Sequence, residues 1–253
     1  MPLLILFLLF AGPVPFLLLS VVVAALGLYE FFAMAIPGQP NRERVLLSIA
    51  GAFCAGLFGY VHAAPVLLAL MLLFLLTAAH FLFRFRDIRQ VSGHLGLCCL
   101  GYFYVPLLLG HLIWLRHLEH GVHWIFLVLV VVMMGDSAAY FTGSAFGRTK
   151  LYPSVSPNKS IEGSLGGLAG SLIGGAAFAL LFMPSLSLVA AVPVSLLLGA
   201  LGQVGDLFES LLKRSFGVKD SGSLIPGHGG ILDRLDSLLF AFAPAYYLAV
   251  LIV

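Results

Sequence analysis

The stretch PVLLALMLLFLLTAAHFLF, residues 65–83, decides the fold class of this protein. It contains no aspartate, glutamate, lysine or arginine, and its apolar residues run continuously rather than at alternate positions. About 20 consecutive apolar residues form a helix long enough to cross the ~30 Å hydrocarbon core of a bilayer. The stretch therefore predicts a transmembrane helix.

Similar stretches recur along the whole chain of 253 residues, of which 61% are hydrophobic and 9% charged. Soluble domains carry about 25% charged residues, so a mean hydropathy of +1.09 excludes a water-soluble fold. Continuous apolar runs favour helices over a β-barrel, whose strands alternate. We predict an all-α, polytopic transmembrane helical bundle of about eight spans. These spans lie near residues 16–35, 45–62, 65–83, 95–114, 122–143, 163–183, 187–205 and 237–252.

Residues 2–11 form one further apolar piece, which we interpret as a half-span or a truncated first helix. It is too short to cross a membrane alone, because Gly12, Pro13 and Pro15 follow it directly.

The basic residues indicate how the chain is oriented in the membrane. Of the thirteen lysines and arginines, all except Arg116 fall on one side of the predicted spans. By the positive-inside rule, that side is cytoplasmic. No basic cluster with interleaved aromatic residues indicates binding of nucleic acid. The basic residues on the predicted cytoplasmic side are Arg42, Arg44, Arg84, Arg86, Arg89, Arg148, Lys150, Lys159, Lys213, Arg214, Lys219 and Arg234.

The chain divides into an N-terminal region of transmembrane helices, residues 1–120, and a C-terminal region, residues 121–253, which we expect to be catalytic. Two long polar stretches, 146–162 and 206–236, interrupt the apolar pattern on the cytoplasmic side. A passive helical bundle needs no such loops, so we expect function to lie there. Glycines at four-residue spacing within residues 163–174 predict close helix packing, within the protomer or across a homodimer.

The acidic residues predict chemistry on phosphates. Asp136 lies inside an apolar span, where a carboxylate should face a cavity, a cation or a partner. If the helix before Asp206 continues, Asp206, Ser210 and Lys213 share one face. The segment KDSGSLIPGHGG, residues 219–230, cannot be a regular helix, and its glycines let backbone amides approach a phosphate. These features predict metal-assisted phosphate chemistry, and they leave a cation or phosphate transporter open.

A more specific signal is the string SLLKRSFGVKDSGSLIPGHGGILDRLD, residues 210–236. It resembles the signature of the phosphatidate cytidylyltransferase (CDP-diacylglycerol synthase) family. That signature asks for Ser, Lys-Arg, Lys-Asp, a small residue, Pro, His-Gly-Gly and Asp-Arg-x-Asp, which this chain supplies in register. The resemblance extends upstream through GQVGDLFES (202–210), SPNKSIEG (156–163) and GDSAAYFTGSAFGR (135–148).

The resemblance implies transfer of CMP from CTP to phosphatidate, giving CDP-diacylglycerol and pyrophosphate. It implies a multi-pass protein of the bacterial inner membrane whose active site faces the cytoplasm. Mg²⁺ is the implied cofactor, with a second cation as an option. A CTP-dependent kinase acting on another lipid and a membrane transporter are the alternatives. Transporters often contain repeated halves, and the sequence shows none.

The resemblance also implies roles for individual residues. The preferred metal ligands are Asp206 and Asp233, followed by Asp136, Asp220 and Asp236. The implied catalytic set is Asp206, Lys213, Arg214, Lys219, Asp220, His228, Asp233, Arg234 and Asp236. The implied substrate-binding set is Ser156, Pro157, Lys159, Ser210, Gly229 and Gly230. Glu30, in the first predicted span, has no role that the sequence assigns.

Overall fold

The computed structural model of this chain describes residues 11–60, 62–84, 87–224 and 229–252. Apart from Ala11, the apolar piece predicted at residues 2–11 lies outside these ranges. The predicted catalytic residue His228 lies outside them as well.

The chain packs as two compact units. The first unit contains residues up to His117 together with Asp220–Asp233, and the second contains Leu118–Lys219 together with Arg234–Val253. The segment from Asp220 to Asp233 thus packs with the N-terminal helices, although it lies late in the sequence.

Among its described residues, the first unit is built from five α-helices and short helical turns. The helices are α1 (Pro13–Ala35), α2 (Asn41–Gly56), α3 (Ala63–Arg84), α4 (Val91–Tyr102) and α5 (Leu108–His117). A 3₁₀ turn, Leu57–Gly59, follows α2, and another, Ile88–Gln90, precedes α4. A π-helical turn, Phe103–Leu107, joins α4 to α5 and contains Pro106, which cannot donate a backbone hydrogen bond in a regular helix.

The second unit holds longer helices and one short hairpin. Its elements are α6 (Gly121–Phe146), β1 (Lys150–Tyr152), β2 (Ser156–Ser160), α7 (Ile161–Phe182), α8 (Leu188–Ser215) and α9 (Leu232–Ile252). The first two residues of α9 belong to the first unit, and the rest of the helix belongs to the second.

The predicted all-α polytopic fold is confirmed. Among the residues that the structure describes, seven helices are long and apolar enough to cross a membrane. The span expected near 45–62 differs, because it forms only the 16-residue helix α2 and a 3₁₀ turn. A helix of 16 residues is about 24 Å long. The first turn of α2 is polar, with Arg42, Glu43 and Arg44, which shortens its apolar part further.

Aromatic packing holds α1 against α4 in the first unit. Phe32 of α1 meets Tyr102 of α4 edge to face, with ring centroids 5.8 Å apart. Phe31 is fully buried beside it. A Cβ atom at Gly101 would lie 2.9 Å from the Phe31 ring, so the absence of a side chain there lets the two helices approach.

Glycines hold α6 against α7 in the second unit. A Cβ atom at Gly163 would lie 3.0 Å from the Ala139 carbonyl oxygen, and one at Gly170 would lie 2.7 Å from the Met134 carbonyl oxygen. Ser171 of α7 adds a hydrogen bond to the carbonyl of Val131, at 2.9 Å. The predicted glycine packing therefore operates within the protomer, which leaves the predicted homodimer without support from these glycines.

The two polar stretches fold differently. Residues 146–162 contain an antiparallel hairpin in which Lys150 faces Ser160 and Tyr152 faces Ser156, an element that the sequence analysis did not predict. The span expected to end near 205 continues as α8 to Ser215, which meets the condition under which Asp206, Ser210 and Lys213 were expected to share one face. From Gly217 to Leu224, the segment is irregular, as its glycines and serines indicate.

Candidate active site

A cavity of about 650 Å³ lies among α6, the hairpin, α7 and α8 of the second unit. Three residues from the predicted site line it: Asp136 of α6, Lys159 of β2 and Asp206 of α8. Asp136 was expected to face a cavity, a cation or a partner, and it faces this cavity. Polar residues that the sequence analysis did not single out complete the wall. They are Ser144, Asn158, Ser160, Ser164 and Gln203.

The ion pair between Lys159 and Asp206 dominates the charge of this cavity. The Lys159 ammonium lies 2.5 Å from Asp206 Oδ2, and both side chains remain about 30% exposed, at 29% and 32%. A compact ammonium on a flexible stem can move between a carboxylate and a phosphate. The pair therefore places an ammonium, which can bind an anionic ligand, beside a carboxylate, which can bind a metal cation.

The hairpin places Lys159, and three contacts hold the hairpin. Ser160 ends β2 and caps α7, because its hydroxyl accepts a hydrogen bond from the Gly163 amide at 3.1 Å. The Glu162 carboxylate accepts hydrogen bonds from the backbone amides of Arg148 at 3.1 Å and Thr149 at 3.2 Å. These contacts tie both limbs of the hairpin to the first turn of α7.

Gln203 and Ser164 connect α8 to α7 at the cavity wall. The Ser164 hydroxyl donates to Gln203 Oε1, and Gln203 Nε2 donates to the Ser164 carbonyl at 3.0 Å. The pair is separated by 39 residues in sequence. It fixes the part of α8 that lies one turn before Asp206. Gln203 lies inside GQVGDLFES and Ser164 directly follows SPNKSIEG, two strings on which the family resemblance rests, and that was the available signal.

Further carboxylates extend the charged region within the second unit. Asp136 interacts electrostatically with Asp206, Asp236 and Lys159. The Asp236 carboxyl is within hydrogen-bonding reach of Glu209. Glu209 is completely buried on α8 and pairs with Lys213, one turn later, at 3.4 Å. Asp136, Lys213 and Asp236 were predicted site residues and are thus brought together, whereas Glu209 received no predicted role.

This donor set fits a magnesium ion that is shared with a substrate. Carboxylate oxygens are the ligands that Mg²⁺ prefers, and it usually takes one or two of them plus phosphate oxygens. Asp136 and Asp206 provide two such carboxylates on the cavity wall. Over the described ranges of the chain, no group of three histidine, cysteine, aspartate or glutamate side chains could hold a metal alone. The residues therefore suit a metal that arrives with phosphates.

In the first unit, Asp233 organises the segment before α9. Its Oδ2 atom accepts hydrogen bonds from the Ser221 amide at 3.0 Å, the Ser221 hydroxyl at 2.9 Å and the Gly230 amide at 2.8 Å. The carboxylate thereby joins the two described ends of the 220–233 segment at the start of a helix. Its predicted role as a metal ligand stays a prediction.

Arg214 makes two hydrogen bonds to backbone carbonyls in the second unit. Its guanidinium donates to the carbonyl oxygens of Val155, at 3.5 Å, and Val218, at 3.2 Å. It therefore links the end of α8 to the hairpin and to the loop that follows. Its predicted contact with phosphate stays a prediction.

The remaining predicted residues that the structure describes do not line the cavity. Ser156 and Pro157 belong to β2, outside the residues that line the cavity, and Ser210 lies on α8 one turn after Asp206. Gly229 adopts a positive φ of 83°, which favours glycine. Three further charged residues are exposed: Lys219, Asp220 and Arg234.

Comparison with known proteins relates this arrangement to a family. Residues 1–252, nearly the whole chain, match the Cytidylyltransferase family. The chain belongs to this family. The match includes the cavity, the hairpin and the segment before α9.

Individual relatives agree with the family assignment. A protein named phosphatidate cytidylyltransferase from Bacillus subtilis (strain 168) is 33% identical over 269 residues, covering 97% of this chain and 93% of that protein. A protein of the same name from Staphylococcus aureus (strain COL) is 43% identical over 143 residues, covering 56% and 54%. One from Staphylococcus haemolyticus (strain JCSC1435) is 48% identical over 122 residues, covering 47% and 46%.

Because the chain belongs to the Cytidylyltransferase family, it is an enzyme, a nucleotidyltransferase, rather than a transporter. Cys54, Cys98 and Cys99 are free thiols.

Proposed function

We propose that this protein transfers CMP from CTP to phosphatidate. A phosphate oxygen of phosphatidate attacks the α-phosphorus of CTP, and the bond from that phosphorus to the β-phosphate's bridging oxygen breaks. Pyrophosphate leaves with the electron pair, and CDP-diacylglycerol forms. The lipid phosphate is already anionic, so the step needs no general base. The protein must instead position two anionic reactants and neutralise their charge.

The observation that carries this proposal is the cavity that holds Asp136, Lys159 and Asp206 among membrane-spanning helices. Asp136 and Asp206 lie on helices long and apolar enough to cross a membrane, where carboxylates are costly and typically belong to a functional site. The name of the Bacillus subtilis relative, which is similar along almost the whole chain, supports the same reaction.

The basic residues near the cavity would bind the phosphates of the substrates. Lys159 would leave Asp206 in part and bind a phosphate oxygen, since both groups are partly exposed to the cavity. Glu209 would keep Lys213 extended, since the two are paired at 3.4 Å and Glu209 is buried. Lys219 and Arg234 are exposed and would bind phosphates at the edge of the site.

Mg²⁺ is the proposed cofactor, and a second cation remains part of the proposal. Asp206 and Asp136 would hold it together with phosphate oxygens of CTP. When bound, such an ion neutralises charge on the triphosphate and stabilises the departing pyrophosphate. Asp233, Asp220 and Asp236 remain the further proposed ligands.

The proposed location of the site is the cytoplasmic face of a bacterial inner membrane. The basic loops support this orientation, because the hairpin that carries Lys150 and Lys159 and the loop that carries Lys219 share the predicted cytoplasmic side. CTP is made in the cytoplasm, so the orientation also agrees with the proposed substrate.

The test is turnover by the purified protein in detergent micelles with phosphatidate and CTP labelled at the α-phosphate. We expect labelled CDP-diacylglycerol and pyrophosphate with Mg²⁺ and neither product with a chelator. Transfer of the γ-phosphate to a lipid, with release of CDP, would instead identify a lipid kinase. Absence of any product from folded protein would refute the proposal.

The matched variants are Asp206→Asn and Glu119→Gln. Each removes one carboxylate charge in the second unit, but Glu119 is exposed on the turn before α6, roughly 20 Å along that helix from Asp136. We expect Asp206→Asn to lose turnover and Glu119→Gln to retain it. Equal losses would mean that the cavity is not the site.

A further inference from the structure

Glu30 is a buried carboxylate in the first unit that the proposed reaction does not use. It lies on α1 with 2% of its surface exposed. A carboxylate this deep in a protein is costly unless hydrogen bonds stabilise its charge. Its partners therefore decide what it does.

The partners of Glu30 lie in the segment before α9 and at the first residue of α9. Glu30 Oε1 accepts a hydrogen bond from the Ile231 amide at 3.0 Å, and Oε2 accepts one from the Leu232 amide at 3.0 Å. The Ser221 hydroxyl lies 3.3 Å from Oε2. More than 190 residues of sequence separate Glu30 from these groups. One carboxylate thus contacts both described limbs of the segment, Ser221 on one and Ile231 and Leu232 on the other.

The contact is close enough to require glycine at two positions. A Cβ atom at Gly222 would lie 2.6 Å from Glu30 Oε1, and one at Gly230 would lie 2.5 Å from Glu30 Oε2. Real Cβ atoms essentially never lie this close to another atom, so a side chain at either position would displace the Glu30 carboxylate. The two glycines therefore leave the space that the Glu30 carboxylate fills.

Asp233 also holds the two described limbs of the segment together, through Ser221 and Gly230. Its Oδ2 atom accepts from the Ser221 hydroxyl at 2.9 Å, and the same hydroxyl faces Glu30. A hydroxyl has one proton to donate, and the shorter distance favours Asp233 as its acceptor. Glu30 then depends on the two amides at the start of α9, which need an acceptor because they have no partner within the helix.

We infer that Glu30 is a positioning residue for the two described limbs of the segment before α9, residues 220–224 and 229–233. This inference rests on the proposed function, because it takes that segment to be a phosphate-binding element. By fixing the amides of Ile231 and Leu232, Glu30 sets the start of α9 and the orientation of Asp233. By closing on Gly222, it sets the course of the chain that follows Lys219 and Asp220. Glu30 itself touches no substrate.

The experiment compares Glu30→Ala and Glu30→Gln with Leu28→Ala. Leu28 is fully buried on the same helix and lies beside Gly51 of α2. Its truncation destabilises the first unit but leaves the Glu30 carboxylate in place. All variants are assayed well below their melting temperatures, and kcat and KM for CTP are determined separately.

Glu30→Ala is expected to raise KM for CTP about tenfold and to lower kcat/KM on the order of 100-fold, because misplacement of the segment weakens both binding and alignment. Glu30→Gln retains one acceptor oxygen and is expected to recover part of the loss. Leu28→Ala is expected to keep the wild-type KM, since a loss of folded protein lowers only the apparent kcat. Gly222→Ala should reproduce the effect of Glu30→Ala.

Hydrogen exchange of the backbone amides provides a second readout that does not require turnover. Glu30→Ala should accelerate exchange in peptides that cover residues 229–236, and Leu28→Ala should not do so selectively. An unchanged KM for CTP in Glu30→Ala, or equal effects in Leu28→Ala, would overturn the inference while wild-type turnover still upheld the proposed function. Inactive wild-type protein would refute the proposed function. Unaltered exchange in Glu30→Ala would then refute the positioning role of Glu30 as well.

Discussion

Replacement of Lys159 by methionine tests the cavity most directly. Methionine keeps much of the apolar stem but removes the ammonium that lies 2.5 Å from Asp206. If Lys159 only paired with Asp206, the change would affect stability. If it also binds a phosphate, the change would affect turnover far more.

The structure sets the size of both effects. Because both partners keep about 30% exposure, the pair contributes roughly 1 kcal/mol or less to the free energy of unfolding. Loss of a donor aimed at developing charge in a transition state typically costs about 3–4 kcal/mol, or roughly 10²–10³ in rate. We therefore expect kcat/KM to fall by about two to three orders of magnitude while the melting temperature hardly changes.

The assay is formation of CDP-diacylglycerol from labelled CTP, with thermal unfolding measured on the same preparation. Lys150→Met is the matched control, because Lys150 is an exposed lysine of the same hairpin that does not line the cavity. It should retain nearly all activity.

Two results would refute the reasoning. The first is a kcat/KM of Lys159→Met within about threefold of the wild type, which would exclude a transition-state contribution of this size. The second is recovery of activity in the double variant Lys159→Met, Asp206→Asn, since it would mean that Lys159 serves only to neutralise Asp206.

Three further predictions concern other parts of the protein. Asp233→Asn should abolish turnover and yet elute as folded protein in detergent, because asparagine keeps an acceptor for the Ser221 and Gly230 amides; near-normal activity would remove Asp233 from the metal ligands. Gly170→Ala should lower the free energy of unfolding by about 1–3 kcal/mol, because its Cβ would press on the Met134 carbonyl. The melting temperature should fall as a result. Gly93→Ala, with open space around it, should not lower it, and equal shifts would contradict the packing argument. Cysteine at position 150 should react with an impermeant maleimide only after cells are permeabilised, whereas cysteine at 119 should react in intact cells; the reverse pattern would invert the proposed orientation.

Local pattern accounted for the features that depend on neighbouring residues. The apolar run at 65–83 predicted a spanning helix, and α3 is that helix. The sequence placed Asp206, Ser210 and Lys213 on one face on condition that the helix continued past residue 205, and α8 continues to Ser215. The glycine spacing in α7 predicted close packing, because a row of missing side chains leaves a groove whatever helix fills it.

Local pattern failed where a short element depends on distant contacts. The hairpin has only eight residues in its two strands, too few to show a strand periodicity against a polar background. Glu162 and Arg214 stabilise it from outside the strands. The span expected near 45–62 was too long, since charge at the start of α2 and the 3₁₀ turn at its end both limit the helix.

By itself, the sequence determined that this protein is a helical membrane protein, and its signature strings indicated the family and most of the charged residues of the site. Both follow from local composition, since a bilayer selects long apolar runs and a family motif is a run of neighbouring residues. Only the tertiary structure decided that Lys159 pairs with Asp206 and that Glu30 holds the start of α9. The physical reason is that hydrogen bonds and ion pairs act over about 3 Å, and which groups come that close depends on how segments far apart in sequence pack together.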